Sequence, residues 1–249
     1  MNPQSFSFHR IALGDVGSTN DEARQRLEML GDGPYVVTGA RQLSGRGRRG
    51  RAWVSPEGNV YASFALRPDA PLSRFPELSF VAALAVSDAA IEVVPDGTRV
   101  RCKWPNDVLV DGAKVSGILL ETAATPQGPA VIVGIGVNVI SKPADTPYPA
   151  TALAEYDAAI RADTVFEALS RALARRISQW EAGGFPAVRA DWMARADALN
   201  EQVIARLSDR EVRGRFVDLD EDGALLLETG AGDMVRIAAG DIFRPTKED

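Results

Sequence analysis

Apolar and polar positions fall into blocks along this chain, and the period of each block predicts its structure. Residues 6–12 read as a short strand. The stretch VGSTNDEARQRLEML, residues 16–30, reads as a helix, because Ala23, Leu27 and Leu30 make one apolar stripe. Thr19 and Glu22 at its start have the spacing of a capping box, and Gly31, Gly33 and Pro34 end it. Tyr35–Thr38 is strand-like, and Val60–Leu66 alternates with Val60, Ala62, Phe64 and Leu66 on one face. Residues 77–94 are rich in alanine and mostly apolar, the pattern of a helix covered on more than one face.

A turn at Pro95-Asp96-Gly97 precedes strands over Arg99–Lys103, Val108–Val110, Lys114–Glu121 and Ala130–Val139. Asp111-Gly112 between two apolar runs is a hairpin signal. SKPADTPYP, residues 141–149, has no periodicity and reads as a loop; helices follow over Thr164–Ala182 and Pro186–Ala196. From Val203 the pattern changes to short strand-like runs (Val203–Leu207, Val212–Leu219, Ala224–Glu228, Met234–Ile237), which predict a small barrel packed on the rest. The expected architecture is α/β (α+β): a mixed sheet flanked by helices over 1–200, then a small β-barrel over 201–249.

Composition narrows the chemistry. The chain has 249 residues, 45% hydrophobic and 25% charged, the balance of an ordinary globular protein. Its one cysteine, Cys102, excludes an intramolecular disulfide framework, and its one histidine, His9, excludes metal sites that need several histidines. No apolar run approaches the roughly 18–20 residues of a membrane span. The opening MNPQSFSFHRIALGD lacks the features of a signal peptide, so the expected location is the cytoplasm.

Charge is unevenly placed. The net charge is −6, yet RQLSGRGRRGR, residues 41–51, holds five arginines and no acid. One short cationic loop on an acidic protein suits a small, highly charged ligand better than a long polyanion. Three glycines in that loop let backbone N–H groups approach an anion, and the arginines offer planar forks for phosphate or carboxylate. With nothing apolar to pin it, the loop is expected to be mobile until an anion arrives. Read alone, it is equally a solvated basic loop or an RNA-contacting segment, and it lacks the Lys-Ser/Thr end of a Walker loop.

Three further clusters carry polar chemistry. In KWPND, residues 103–107, Pro105 breaks strand pairing and leaves Asn106 and Asp107 at a strand edge. Lys114 opens an otherwise apolar strand, either as an edge gatekeeper or as a charge at a site mouth. Gly134 and Gly136 weaken their strand and need a reason, either tight packing or a flat ligand against the sheet. Ser18, Thr19 and Asn20 at a helix start either cap N–H groups or face a neutral polar ligand.

Taken in order, GSTN (17–20), GRGRRGRAW (45–53), KWPNDV (103–108), KVSGILLE (114–121) and GIGVN (134–138) resemble the motif series of biotin protein ligases over about residues 11–245. The resemblance implies an α/β catalytic domain with an SH3-like C-terminal domain. It implies ATP-dependent activation of biotin to biotinyl-5′-AMP, with Mg²⁺, and transfer to a lysine of a biotin carboxyl carrier protein domain of a biotin-dependent carboxylase. Carried over by motif, Ser18, Thr19 and Asn20 would meet the ureido ring. Gln42, Arg46, Gly47 and Arg48 would wrap biotin, with Trp53 as apolar cover and Gly117 beside it. Lys114 would bind the carboxylate, and Lys114 and Arg48 would be the catalytic pair. Arg48, Arg51, Asn106 and Asn138 would serve ATP, and Asp107 would be a magnesium ligand. Tyr148 would stand in for the family's adenine-covering residue.

GSTN begins at residue 17, which leaves no room for the helix-turn-helix domain of the bifunctional members. The expectation is therefore a ligase without a DNA-binding domain and without membrane association, with pairing of two copies as a further expectation. Two rivals stand beside this reading: a lipoate ligase of the same architecture, and an RNA-binding module acting through residues 41–51.

Overall fold

The structure, a computed structural model, describes residues 7–27, 33–230 and 232–245. Seven strands form the main sheet: β1 (His9–Val16), β2 (Tyr35–Gln42), β3 (Val60–Leu66), β4 (Val100–Lys103), β5 (Asp107–Val110), β6 (Ala113–Thr125) and β7 (Gly128–Val137). Their order is β1-β2-β3-β7-β6-β5-β4. β1 and β2 run parallel, His9 opposite Tyr35 through Val16 opposite Gln42, and the remaining pairs are antiparallel. The sheet is thus mixed, as expected. The predicted hairpin is present: Asp111 (φ 48°) and Gly112 (φ 81°) turn the chain from β5 into β6, the two left-handed positions a tight primed turn requires.

Two strands outrun their apolar signal. The pattern predicts β1 at 6–12, and it lies at His9–Val16; it predicts β2 at Tyr35–Thr38, and the strand runs on to Gln42. β1 is an edge strand, so its polar residues and those of its neighbour's last turn face solvent at no cost in burial, and hydrophobicity does not mark their ends. β3 lies in the middle of the sheet and is buried on both faces rather than one.

Period-2 alternation sorts the sheet's two faces. Val131, Val133, Ile135 and Val137 share the face under α2 (Leu78–Val93) and α3 (Ala162–Ala194), where the large core lies. Ala130 and Ile132 point the other way, toward Ala23 and Leu27 of the α1 segment (helix Thr19–Arg26). Gly134 and Gly136 continue that second face beyond the reach of α1's apolar residues. The two helices expected after residue 160 are both present within the span Ala162–Ala194, separated by the non-helical Gly184 (φ 64°), two residues before Pro186.

The capping box does not form. Ser18 occupies the N-cap position without a side-chain cap. Instead Gln42, at the end of β2, accepts the Thr19 N–H at 2.9 Å and the Thr19 hydroxyl at 3.1 Å. A side chain distant in sequence satisfies the helix N-terminus, leaving Glu22 to pair with Arg26. Leu30 and Gly31, assigned to this helix and its end, lie outside the described residues.

The C-terminal strands are β8 (Gln202–Arg206), β9 (Glu211–Leu219), β10 (Leu225–Glu228), β11 (Met234–Ile237) and β12 (Asp241–Phe243), ordered β11-β10-β9-β8-β12 and antiparallel throughout. β11 and β12 do not pair, so among the described residues the sheet is not closed on itself. Phe216, Leu219, Leu225 and Ile242 belong to the same core cluster as α2 and α3. Trp104 Nε1 donates to Gly223 O at 3.0 Å, tying the two sheets. Gly223 (φ 84°) permits this approach, since a Cβ there would stand 2.6 Å from Phe80. Among the described residues no helix is long and apolar enough to cross a membrane.

Candidate active site

The face of the main sheet that α1 leaves open forms a cleft of about 700 Å³. Its floor follows from register. Gly117 on β6 lies opposite Gly136 on β7, and Tyr61 on β3 opposite Gly136 on the other side. With no side chains at 117 and 136 the floor is flat, and the indole of Trp53 rests on it: a Cβ on Gly136 would stand 2.5 Å from Trp53 Nε1, and one on Gly117 3.0 Å from Trp53 Cζ3. Trp53 Nε1 is buried there without a hydrogen-bond partner. Close packing accounts for these glycines: the Trp53 indole fills the space their missing side chains leave.

One end of the cleft is neutral and polar. Ser63, buried on β3, donates to Asn20 Oδ1 at 2.6 Å and lies 2.8 Å from Thr19 Oγ1. Asn20 Nδ2 donates to Glu121 Oε2 at 2.9 Å, and Gln42 donates to Ser55 Oγ at 3.0 Å. These contacts fix Thr19, Asn20 and Gln42 in single orientations. Ser63 and Glu121 were not singled out from sequence. A single serine inside the apolar run VYASFAL was the available signal for Ser63, and the terminal Glu of KVSGILLE that for Glu121.

The other end is cationic. Lys114 Nζ is 2.6 Å from Asp107 Oδ1, an ion pair rather than a well-directed hydrogen bond, since that oxygen otherwise lacks a partner. The same ammonium lies 5.5 Å from the centre of the Trp53 ring and 5.2 Å from that of Tyr148. Tyr148 arrives because the Pro-rich loop is stitched to β6: Lys114 N–H donates to Pro149 O at 2.8 Å. Asn106 accepts from Arg48 at 3.2 Å and donates to Ile118 O at 2.6 Å.

The arginine loop is not left to solvent. It supplies no acid of its own, and acids from elsewhere reach it. Arg46 forms a bidentate pair with Asp21 at 2.6 and 2.7 Å. Arg51 reaches both oxygens of Asp241 on β12 at 3.1 and 3.2 Å, and Arg48 and Arg49 approach the same carboxylate at 3.7 Å. In this structure the loop takes a defined turn, with Arg49 (φ 56°) and Gly50 (φ 71°) in the left-handed region. Burial holds the Arg48 guanidinium below its ordinary pKa despite Asp241. The bond from Asp21 raises that of Arg46.

Of the residues singled out from sequence, Ser18, Thr19, Asn20, Gln42, Arg46, Gly47, Arg48, Arg51, Trp53, Asn106, Asp107, Lys114, Gly117 and Tyr148 line this cleft. Asn138 does not. It is buried behind the floor, its Nδ2 donating to Thr151 O at 3.1 Å. GIGVN carries its asparagine to the end of β7, where it fastens the following loop rather than facing a ligand.

The profile of the Biotin/lipoate A/B protein ligase family matches residues 17–138, and that of the biotin protein ligase C-terminal domain matches 198–244. The biotin–[acetyl-CoA-carboxylase] ligase of Paracoccus denitrificans is 40% identical over 239 residues, covering 93% of this chain and 98% of the relative. The chain belongs to the biotin protein ligase family. The ligase of that type from Mycobacterium tuberculosis is 36% identical, covering 92% of this chain and 86% of its own. The biotin protein ligase of Aquifex aeolicus, solved with biotin and ATP, superposes with a TM-score of 0.79 at 30% identity, over 94% of this chain and 97% of that one. This chain is therefore an enzyme of the biotin protein ligase family, and every residue lining the cleft except Tyr148 lies within residues 17–138.

Proposed function

We propose that this cleft activates biotin with ATP as biotinyl-5′-AMP and then passes the biotinyl group to a lysine of a biotin carboxyl carrier domain of a carboxylase. The observation that carries the reading is the polarity of the cleft. A neutral hydrogen-bonding end (Thr19, Asn20, Gln42) and a cationic end (Arg48, Arg51, Lys114) are joined by a glycine floor. Biotin has that profile: a neutral ureido ring, an apolar chain and a terminal carboxylate. In this reading residues 1–200 form the catalytic domain and 201–249 the C-terminal domain.

In the first step the biotin carboxylate oxygen attacks the α-phosphorus of ATP, and the bond to the β-phosphate breaks with its electron pair leaving on pyrophosphate. Two anions must approach, so the protein's task is positioning and charge neutralisation rather than nucleophilic chemistry. Lys114 meets the carboxylate, and Arg48 and Arg51 meet phosphate oxygens. Trp53 leaves the floor to become a wall over the bound chain. In the second step the neutral acceptor amine attacks the acyl carbon, AMP leaves with the bonding pair, and one proton is released. Closure of the arginine loop keeps water from the mixed anhydride meanwhile.

Among the described residues no three potential ligands cluster as a resident metal site. Asp107, whose Oδ1 pairs with Lys114 at 2.6 Å but makes no well-directed hydrogen bond, would have to exchange that pairing to hold an Mg²⁺ carried in on the triphosphate, which would neutralise phosphate charge. The test is isotope exchange of pyrophosphate into ATP. Biotin should support it; exchange with lipoate and not biotin would replace this reading with its closest rival. Tight, strongly salt-dependent polynucleotide binding would favour the RNA reading, against which the pairing of the loop arginines with Asp21 and Asp241 already argues.

A further inference from the structure

At the neutral end of the cleft, the orientation of one buried amide is decided by a side chain behind it. Asn20, in the first turn of α1, is only 4% exposed. Its amide lies on Gly134 of β7, where a Cβ would overlap Oδ1 and stand 3.0 Å from Cγ and Nδ2. Register sets its neighbours. Ser63 on β3 lies opposite Gly134, and Glu121 follows two residues after Leu119, the partner of Gly134 on β6. The two ends of an asparagine amide have nearly the same shape, so hydrogen bonding alone decides which end faces which neighbour.

Glu121 makes that decision. Its carboxylate stands 3.5 Å from Arg24 and 3.6 Å from Arg46. A carboxylate held between two guanidinium groups only accepts hydrogen bonds. The amide nitrogen must therefore face it, and Asn20 Nδ2 donates to Glu121 Oε2 at 2.9 Å. Oδ1 is turned to Ser63, which donates to it at 2.6 Å. Ser63 could serve either orientation, because a hydroxyl both donates and accepts; Glu121 could not. One N–H of Nδ2 remains. Among the described residues it meets no acceptor, and Asn20 is a wall of the cleft. A buried donor without a partner is costly, and a ligand oxygen offsets the cost.

We propose that Glu121 is a positioning residue for substrate selection: it holds the Asn20 amide with its spare N–H toward the cleft, so that this end takes a ligand headed by a carbonyl oxygen. Glu121 itself does not touch the substrate. The inference rests on the biotin reading, since the ureido oxygen of biotin is such an acceptor, and it adds the residue that gives this end its donor character. A dithiolane head, which has no oxygen, leaves the N–H unpaired and is disfavoured for that reason.

The experiment compares wild type with Glu121→Gln, Asn20→Ala and the double variant. Gln keeps the shape of Glu but offers a donor as well as an acceptor, so the Asn20 amide is free to turn over. Calorimetry with biotin should show a loss of about tenfold in Glu121→Gln, the size of one hydrogen bond. The double variant should bind no more weakly than Asn20→Ala alone, because Glu121 acts through Asn20. Infrared spectroscopy of bound biotin carrying a carbon-13 ureido carbonyl supplies a readout that loosened packing does not move. The donated bond lowers the carbonyl stretch in wild type, and Glu121→Gln should shift it toward the value in Asn20→Ala. Additive losses in the double variant would overturn the proposal and assign the effect to Arg46. A stretch in Glu121→Gln equal to that of wild type would overturn it as well. Failure of the wild type to bind biotin is a different result, and would sink the biotin reading together with this inference.

Discussion

At the scale of single residues, the floor of the cleft depends on the absence of two side chains. An added Cβ at Gly136 would stand 2.5–2.7 Å from the Trp53 indole, closer than van der Waals contact allows. Gly136→Ala should displace the indole and raise the platform. KM for biotin should rise about tenfold or more, the cost of roughly 1–3 kcal/mol of overpacking, with KM for ATP little changed. Equal rises in both would show that the floor serves the whole cleft and not the biotin chain. Lys114→Ala should lower the rate of adenylate formation by on the order of 10²–10³, the usual loss for one donor aimed at developing charge; single-turnover quench-flow measures it. Asn138→Ala, by contrast, removes a bond to Thr151 O and should act on stability before nucleotide affinity. The residues that sequence exposed best were those whose type conflicts with their element: glycines in a strand, a lysine opening an apolar run, arginines without acids. Ser63 and Asn138 were harder, because a small polar side chain inside a strand reads the same whether it faces a ligand, a helix N-terminus or a loop carbonyl.

At the scale of elements, α2 and α3 are clamped as well as packed. Asp88 on α2 accepts from Arg176 at 2.7 and 3.0 Å and from Arg195, just past α3, at 2.6 Å. Burial works to raise the Asp88 carboxyl, but the two arginines outweigh it and the net shift is downward from 3.8. A depressed folded-state value means the clamp contributes fully above about pH 4 and fades as pH falls through the folded value. Asp88→Ala leaves two guanidinium groups without their shared partner, at a cost of about 3 kcal/mol; denaturant unfolding at pH 7 should show it, and the gap from wild type should narrow in acid. A gap constant with pH would place the effect in packing instead. Element existence was legible where periodicity is strong, as in α2, the β5–β6 hairpin and β7. Element ends were not, because β1 and β2 are finished by strand pairing of polar edge residues, and the start of α1 is fixed by Gln42 from another strand. β12, only three residues long, carries too little pattern to be seen, although its Asp241 reaches three arginines.

At the scale of the whole molecule, that carboxylate joins the two sheets through the site. Arg48, Arg49 and Arg51 belong to one loop of the main sheet and converge on Asp241 of the C-terminal sheet. Without it three like charges stand within a few residues of each other, and Coulomb repulsion at short range favours an open loop. Asp241→Asn should therefore loosen the loop in the empty enzyme. Trypsin should cut at the loop arginines several-fold faster than in wild type, because cleavage follows the population of the open form. Biotin with ATP should restore resistance, since phosphate oxygens replace the missing carboxylate. The thermal midpoint should move little, because the Arg51 side chain is half exposed and exposed pairs contribute about 0–1 kcal/mol. The two readouts separate the alternatives. Unaltered proteolysis would mean that Asn106 and the Gly240 carbonyl, both bonded to Arg48, anchor the loop without Asp241. A large fall in the midpoint would mean that Asp241 holds the C-terminal strands to the main sheet rather than the loop to the strands.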